Sequence, residues 1–221
     1  MRRVAVIANA SGCGKSTVAR ALAASLDAPY WELDAIHHRA GWRELDANEL
    51  RRRVEPIVAG ERWVIDGSYQ SKLGHLVLAR ADTVVWLDLP RRVWLPRLVG
   101  RTIRRIVLRH ELWNGNRESL RYVFSGRDSL IVFALRNEPR RRQRYPSELA
   151  RFRVARLGTQ AEVNAFLRHA RCQDGQPVSD TESCQGERVP NQHRSIHTHE
   201  TTALTGGTRP LRRRRRDTAE P

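Results

Sequence analysis

Residues 6 to 17 read VIANASGCGKST: an apolar run, a glycine-punctuated turn, and then a lysine, a serine and a threonine opening an amphipathic stretch. A strand that turns through glycines into a helix N-terminus makes an anion site, because backbone N–H groups point outward and the helix dipole favours negative charge. In the pattern G-x-x-x-x-G-K-[ST] the lysine reaches the β- and γ-phosphates and the following hydroxyl binds Mg2+. Gly14, Lys15 and Ser16 match its second half, Thr17 follows, and Gly12 is read as making room for the phosphate. Asn9 stands where the first glycine belongs; asparagine tolerates the left-handed conformation best after glycine, so the turn is expected to survive with Asn9 in it. Cys13 reads as a small loop residue, and its place at a helix N-terminus leaves open a thiol of lowered pKa. Lys15 also stands out by composition. Of 40 basic residues only Lys15 and Lys72 are lysine, and the rest are arginine.

The first 171 residues alternate strand and helix patterns. VAVIA (4 to 8) is a short apolar run suited to a strand buried on both faces, and 15 to 26 carries apolar residues at helical spacing until Pro29 stops it. PYWELD supplies a second strand ending at Asp34, and Asp46 with Glu49 forms a capping box for a helix running to Ala59 and ended by Gly60. RWVID (62 to 66), a helical stretch over 71 to 80, TVVWLDL (83 to 89), a long helical region, RFRVARL (151 to 157) and a helix over 160 to 170 complete the series. Such alternation predicts an α/β fold with a parallel sheet covered on both faces and ligands beyond the carboxyl ends of its strands.

The formal net charge is +16, and residues 91 to 144 contribute +11 of it, with 15 arginines against Glu111, Glu118, Asp128 and Glu138. A surplus of that size points to a phosphate-bearing or other anionic partner. Beyond about residue 171 the chain is polar, aperiodic and rich in Pro, Gly, Ser and Thr, so 172–221 is expected to be a disordered tail separate from a domain over 1–171. Its run Arg212 to Arg216 reads as a solvated charge cluster. Its His193, His197, His199 and Cys184, with Cys172, lack the paired spacing of a zinc site. Three scattered cysteines, no apolar run of 18 residues and no signal-like start lead to the expectation of a cytoplasmic, non-membrane protein in a reducing compartment.

SGCGKST, RWVIDGSY, ADTVVWLDLP and ELWNGNRES, in this order and spacing, resemble the adenylate-kinase-related P-loop proteins of the topology modulation group, over about residues 3 to 170. The resemblance implies a nucleoside-kinase-like P-loop NTPase fold: a five-stranded parallel sheet with helices on both faces, the Asp66 strand beside the glycine-loop strand, and an arginine-rich helical lid inserted at about 90–146. It implies ATP and Mg2+ as donor and cofactor.

Phosphoryl transfer requires alignment of donor and acceptor and neutralisation of charge. Asp66, ending an apolar strand, is the candidate to hold Mg2+ with Ser16, the alternative being a turn cap. Asp88 before Pro90 reads as a cap for the next helix. In the lid, Arg97, Arg101 and Arg104 or Arg105 share one helical face that can reach over a triphosphate; Arg97 and Arg101 are assigned to nucleotide, and Arg101 and Arg105 to catalysis with Lys15. RRRQR (140 to 144) is a second cluster able to close from the other side. Trp113 to Asn116 form a turn between lid helices, and no four-cysteine cluster holds this lid through zinc. Acceptor recognition is expected from 34 to 45, where Asp34, His37, His38, Arg39, Trp42 and Arg43 combine a carboxylate, imidazoles, guanidinia and an aromatic platform. A hydroxyl acceptor needs a base, for which Asp34 is the candidate; a monophosphate acceptor needs arginine and stacking surface instead. Two functions stay open: a kinase acting on a nucleotide, nucleoside or small metabolite, and a nucleotide-dependent protein whose arginines bind nucleic acid.

Overall fold

The computed structural model describes residues 1–108, 111–116 and 129–173. Among these, five strands form one parallel sheet in the order β2-β3-β1-β4-β5: β1 Arg3–Ala8, β2 Tyr30–Glu32, β3 Trp63–Asp66, β4 Thr83–Leu87 and β5 Val154–Leu157. Helices α1 Lys15–Ser25, α2 Leu33–His37, α3 Ala47–Ala59, α4 Gln70–Leu73, α5 Leu76–Arg80, α6 Arg91–Val107, α7 Leu130–Glu148 and α8 Gln160–Gln173 connect and cover it. This is a doubly covered parallel α/β architecture, with the Asp66 strand beside the glycine-loop strand. Val6 of β1 lies opposite Asp66 of β3 on one side and Val85 of β4 on the other, which brings all three strand ends to one edge.

The strands read as unbroken apolar runs because both faces are buried: every residue of β3 and β4 is inaccessible. Side chains alternate between two cores. Val4, Val6 and Ala8 pack with Val18 and Leu22 of α1 and with Trp94 and Leu98 of α6, whereas Ala5 and Ile7 pack with Leu50 and Val54 of α3. No helix among the described residues is long and apolar enough to cross a membrane.

Four boundaries differ from expectation, each for a local reason. The edge strand β2 pairs only three residues with β3, so Asp34 lies in the first turn of α2 and not at a strand end. Gly74, at φ +58 and ψ −132, cannot continue a helix and divides the 71 to 80 stretch into α4 and α5. β5 starts at Val154 because Phe152 N–H closes a turn onto the Leu149 carbonyl (2.9 Å). Asp46 caps α3 by accepting from Glu49 N–H (2.8 Å), but the Glu49 carboxylate pairs with Arg39 and Arg53 and leaves the box one-sided. The tail readings at 174–221 and the arginines at 109, 117, 121 and 127, expected to belong to a lid, lie outside the described residues.

Candidate active site

The glycine loop begins where β1 ends and closes at Lys15, the first residue of α1. The N-cap of α1 is Gly14 at φ +84; no side chain caps it and no acidic residue sits in the first turn. The N–H groups of that turn have no intrahelical partner, and the helix dipole adds positive potential at the same place. Ser16 is half-buried in this turn and Thr17 is exposed. Gly12 has a packing requirement of its own. A Cβ there would lie 2.5 Å from the Trp94 carbonyl oxygen and 3.0 Å from Leu98 Cβ, so the missing side chain admits the backbone of α6.

Asn9 also departs from its expected role. It is absent from the residues with positive φ, and its side chain is fully buried. Its Oδ1 accepts from Trp86 Nε1 (2.8 Å) and its Nδ2 donates to Asp88 Oδ1. Asn9 thus ties the loop to the end of β4, and its side chain is spent before any ligand arrives. Asp88 is no helix cap: α6 starts after Pro90 without a side-chain cap. Its buried carboxylate instead receives Arg142 Nε (2.8 Å) and Arg156 Nε (3.0 Å) along with Asn9. Cys13 is buried in the core, and burial pushes its thiol up against the lowering effect of hydrogen bonds to Ala10 and Leu89. A thiol held protonated in a closed site is not the oxidisable thiolate that helix position alone suggests.

At the strand ends, Lys15 Nζ donates to Asp66 Oδ1, while Tyr30 donates its phenolic proton to Asp66 Oδ2 (3.3 Å). Burial of Lys15 favours the neutral amine, but the charges of Asp66, Asp34 and Glu32 overcome it and leave its pKa above the ordinary value. The ammonium is therefore permanent at any physiological pH. Gly67 follows Asp66 at φ +104, and a Cβ there would come within 3.8 Å of Lys15 Nζ, so the turn leaves the lysine head its space.

Asp34 stands across from this pair. Its Oδ1 accepts from Tyr69 Oη at 2.6 Å, and burial followed by the Asp34 charge raises the phenol's pKa well beyond its usual range. Tyr69 takes φ 45 and ψ 45, a left-handed conformation rare for an aromatic residue. Next to it, Lys72 Nζ donates to His37 Nε2 (3.1 Å), Glu44 Oε2 (2.7 Å) and the Leu45 carbonyl (3.0 Å). His37, His38 and Glu44 have the composition and closeness of a metal-ligand set, with ligand atoms within 4.8 Å of one another. Lys72 already bonds two of the three, so the chain supplies its own cation there. Burial and the Lys72 charge lower the His37 pKa; the hydrogen bond from Lys72 lowers that of Glu44.

The turn at Trp113–Gly115 docks on residues 38 to 42, within the segment expected to receive the acceptor. Asn116, buried, accepts from Trp42 N–H (2.9 Å) and donates to the Arg39 carbonyl (2.9 Å), and Asn114 donates to the His38 carbonyl. The Trp113 ring stacks on His38 with centroids 6.1 Å apart, and His38 meets Trp42 edge-on at 5.6 Å. The aromatic platform expected from Trp42 is therefore packed by its own neighbours.

Among the basic residues, Arg97 donates to Gln160 at the start of α8 (3.0 Å), and Arg101 and Arg105 follow it along α6. The 140 to 144 cluster divides: Arg142 binds Asp88, Arg144 pairs with Glu148, and Arg141 reaches the Asn9 carbonyl at the mouth of the glycine loop (3.3 Å). Lys15, Asp34 and Asp66 are thus brought together as expected. Arg141 joins them from the 140 to 144 cluster, and Tyr30, Tyr69 and Lys72 join them without having been given a role; the one available signal was that Lys72 is the only other lysine.

No protein-family profile and no curated protein matches the chain. Three solved structures resemble it in outline. Shikimate kinase from Bacteroides thetaiotaomicron is 16% identical over 78% of this chain and 97% of that one, with a TM-score of 0.47. Shikimate kinase from Acinetobacter baumannii, in complex with shikimate, is 15% identical over 80% and 97%, at 0.48. Deoxyadenosine kinase from M. mycoides with bound dCTP is 9% identical over 76% and 98%, at 0.40.

Proposed function

We propose that the chain is a P-loop phosphotransferase that moves the γ-phosphoryl group of ATP, with Mg2+, to a small-molecule acceptor seated against residues 34 to 45. One observation carries this reading: an uncapped helix N-terminus, a permanently charged lysine on a strand-end carboxylate, and a second carboxylate facing them, all at the carboxyl edge of a parallel sheet. In this reading the amides of the first α1 turn grip the polyphosphate, and Lys15 turns from Asp66 to the β- and γ-phosphates. Ser16 and Asp66 offer the hydroxyl and carboxylate oxygens that a hard cation takes, and Mg2+ bound there neutralises charge on the transferring group. Asp34 accepts the acceptor's proton. Arg141, with Arg97, Arg101 and Arg105 of α6, supplies guanidinium charge around the donor.

The rival reading makes the arginines a nucleic-acid surface. Against it, Arg91 pairs with Glu138, and Arg142 and Arg156 with Asp88, so part of the surplus is absorbed within the fold. Calorimetry with MgATP and MgGTP, followed by ADP release and product mass over a panel of nucleotides and polar metabolites, tests the proposal. Binding and transfer are expected; no heat at millimolar nucleotide with native protein overturns it. DNA titrations at two salt concentrations test the rival, which requires strong, salt-dependent binding.

A further inference from the structure

The loop that follows α2 gathers two imidazoles and a carboxylate by means of its backbone. His37 ends α2, His38 comes next, and Glu44 faces His38 across an isolated antiparallel bridge. Main-chain bonds shut the loop without help from any side chain: Leu45 N–H donates to the His37 carbonyl (3.0 Å) and Arg39 N–H to the Arg43 carbonyl (2.8 Å). Asn116 fastens it from outside through the Arg39 carbonyl and Trp42 N–H. Each of His37, His38 and Glu44 therefore offers a ligand atom within 4.8 Å of the other two.

Lys72 reveals what two of these groups are set to receive. An ammonium has donors only, so its contact with His37 makes Nε2 the lone-pair nitrogen of that ring. This nitrogen lies 3.2 Å from Glu44 Oε2. Two acceptors so close need a cation between them, and Lys72 Nζ fills that place. The same spacing suits a smaller ion, because two ligands of a tetrahedral Zn2+ are about 3.3 Å apart when each lies about 2.0–2.2 Å from the metal. Lys72 does not account for the third group. His38 Nδ1 is buried without a hydrogen-bond partner among the described residues, and a buried orphan of that kind calls for a cause.

We propose that His37, His38 and Glu44 bind a divalent transition ion of the Zn2+ type, which exchanges with the Lys72 ammonium. His37 Nε2 and Glu44 Oε2 are already in place, and a turn of the His38 ring brings in the third ligand. Lys72 is 27% exposed and swings out to solvent on its flexible stem. Three protein ligands leave a tetrahedral ion one open position. Two imidazoles among three ligands favour Zn2+ or Co2+ over Mg2+, so this site differs in kind from the Ser16 and Asp66 oxygens of the proposed kinase. It needs no nucleotide, and stands or falls apart from the kinase reading.

The test uses the full chain, stripped of metal with a chelator and held near neutral pH in excess Mg2+, then titrated with Co2+ followed by Zn2+. One equivalent of Co2+ is expected to give the strong visible absorption of a four-coordinate ion, and Zn2+ to abolish it. His38→Ala and Glu44→Gln should each weaken the affinity by about tenfold or more, since even the loss of a partner behind a ligand costs that much. Lys72→Met removes the resident ammonium and should tighten binding severalfold, a gain that damage to the fold does not produce. Three results would each overturn the proposal. The first is no uptake by native protein at submillimolar metal. The second is uptake that His38→Ala or Glu44→Gln leaves unchanged, which would assign the metal elsewhere, as to Cys184 and the histidines at 193, 197 and 199. The third is equal or weaker binding in folded Lys72→Met; should that variant not fold, the two ligand variants decide.

Discussion

The two sides of the glycine loop, donor and acceptor sides in the proposed function, are built by different means. On the donor side, backbone and buried charge set the geometry: Gly12 lies under the α6 backbone, Asn9 is locked to Trp86 and Asp88, and Asp88 anchors Arg142 and Arg156. On the acceptor side, short segments are held by side-chain hydrogen bonds. Among the described residues, three of the four non-glycine residues at positive φ, Trp42, Tyr69 and Asn114, occur there. A polyphosphate is the same in every P-loop enzyme and suits a rigid cradle, whereas acceptors vary and suit exchangeable loops. The contrast predicts that donor-side substitutions cost catalysis or global stability outright, and that acceptor-side ones cost local order.

Lys15→Ala should break the donor side most severely, lowering ADP release by about a hundredfold to a thousandfold, since a preorganised cation is removed from the transferring phosphoryl group. It will also strip Asp66, wholly buried, of its cation and leave it the Tyr30 hydroxyl, so a modest fall in melting temperature should accompany the lost activity. Gly12→Ala comes next. The added methyl meets the Trp94 carbonyl and the φ of +90 disfavours any side chain, so urea unfolding should show a loss of about 2–4 kcal/mol. Asp88→Ala strands two guanidinia at a buried strand end. Because Arg142 and Arg156 are 40% and 55% exposed, solvent relieves part of the cost, and roughly 2 kcal/mol is expected.

The same division governs what could be read from the sequence. The sheet was legible because strands buried on both faces are written as unbroken apolar runs, Lys15 because it follows the glycines that open α1, and Asp66 because it ends an apolar strand; Asp34 was read at a strand end and lies one step on, in the first turn of α2. Asn9 and Asp88 were visible as residues but misread as to cause, and the packing of Gly12 under α6 went unread. Their partners are set by packing between segments 54 to 79 residues apart in the Asn9–Asp88–Arg142–Arg156 network, and no local pattern encodes that. Tyr69 escaped notice because its left-handed backbone is imposed by the surroundings and contradicts its own propensity. Asn114 and Asn116 were read as a turn, which they are. Their hydrogen bonds to segment 35–42 became apparent only when the two loops were seen together.

Lys72 is the sharpest probe of the acceptor side, because the effect should be small and its pH dependence specific. Three acceptors, His37 Nε2, Glu44 Oε2 and the Leu45 carbonyl, converge on one ammonium. A planar guanidinium cannot satisfy that tripod, which gives a physical reason for lysine in a chain that otherwise uses arginine. Lys72→Arg should cost about 1 kcal/mol near neutral pH, with faster amide exchange over 37 to 45 and little change in MgATP affinity. The histidine sets the pH window. Since its pKa is lowered in the folded chain, the unfolded chain binds more protons as pH falls below about 6.5, and the clamp's contribution is present above that value and lost beneath it. Glu44, also lowered, adds a further loss of the same sign at more acid pH. Wild type and Lys72→Arg should therefore differ in urea midpoint at pH 7.5 and converge towards pH 5. A difference that persists unchanged to pH 5 would mean that Lys72 acts through packing alone, and the acceptor side would then be as rigid as the donor side.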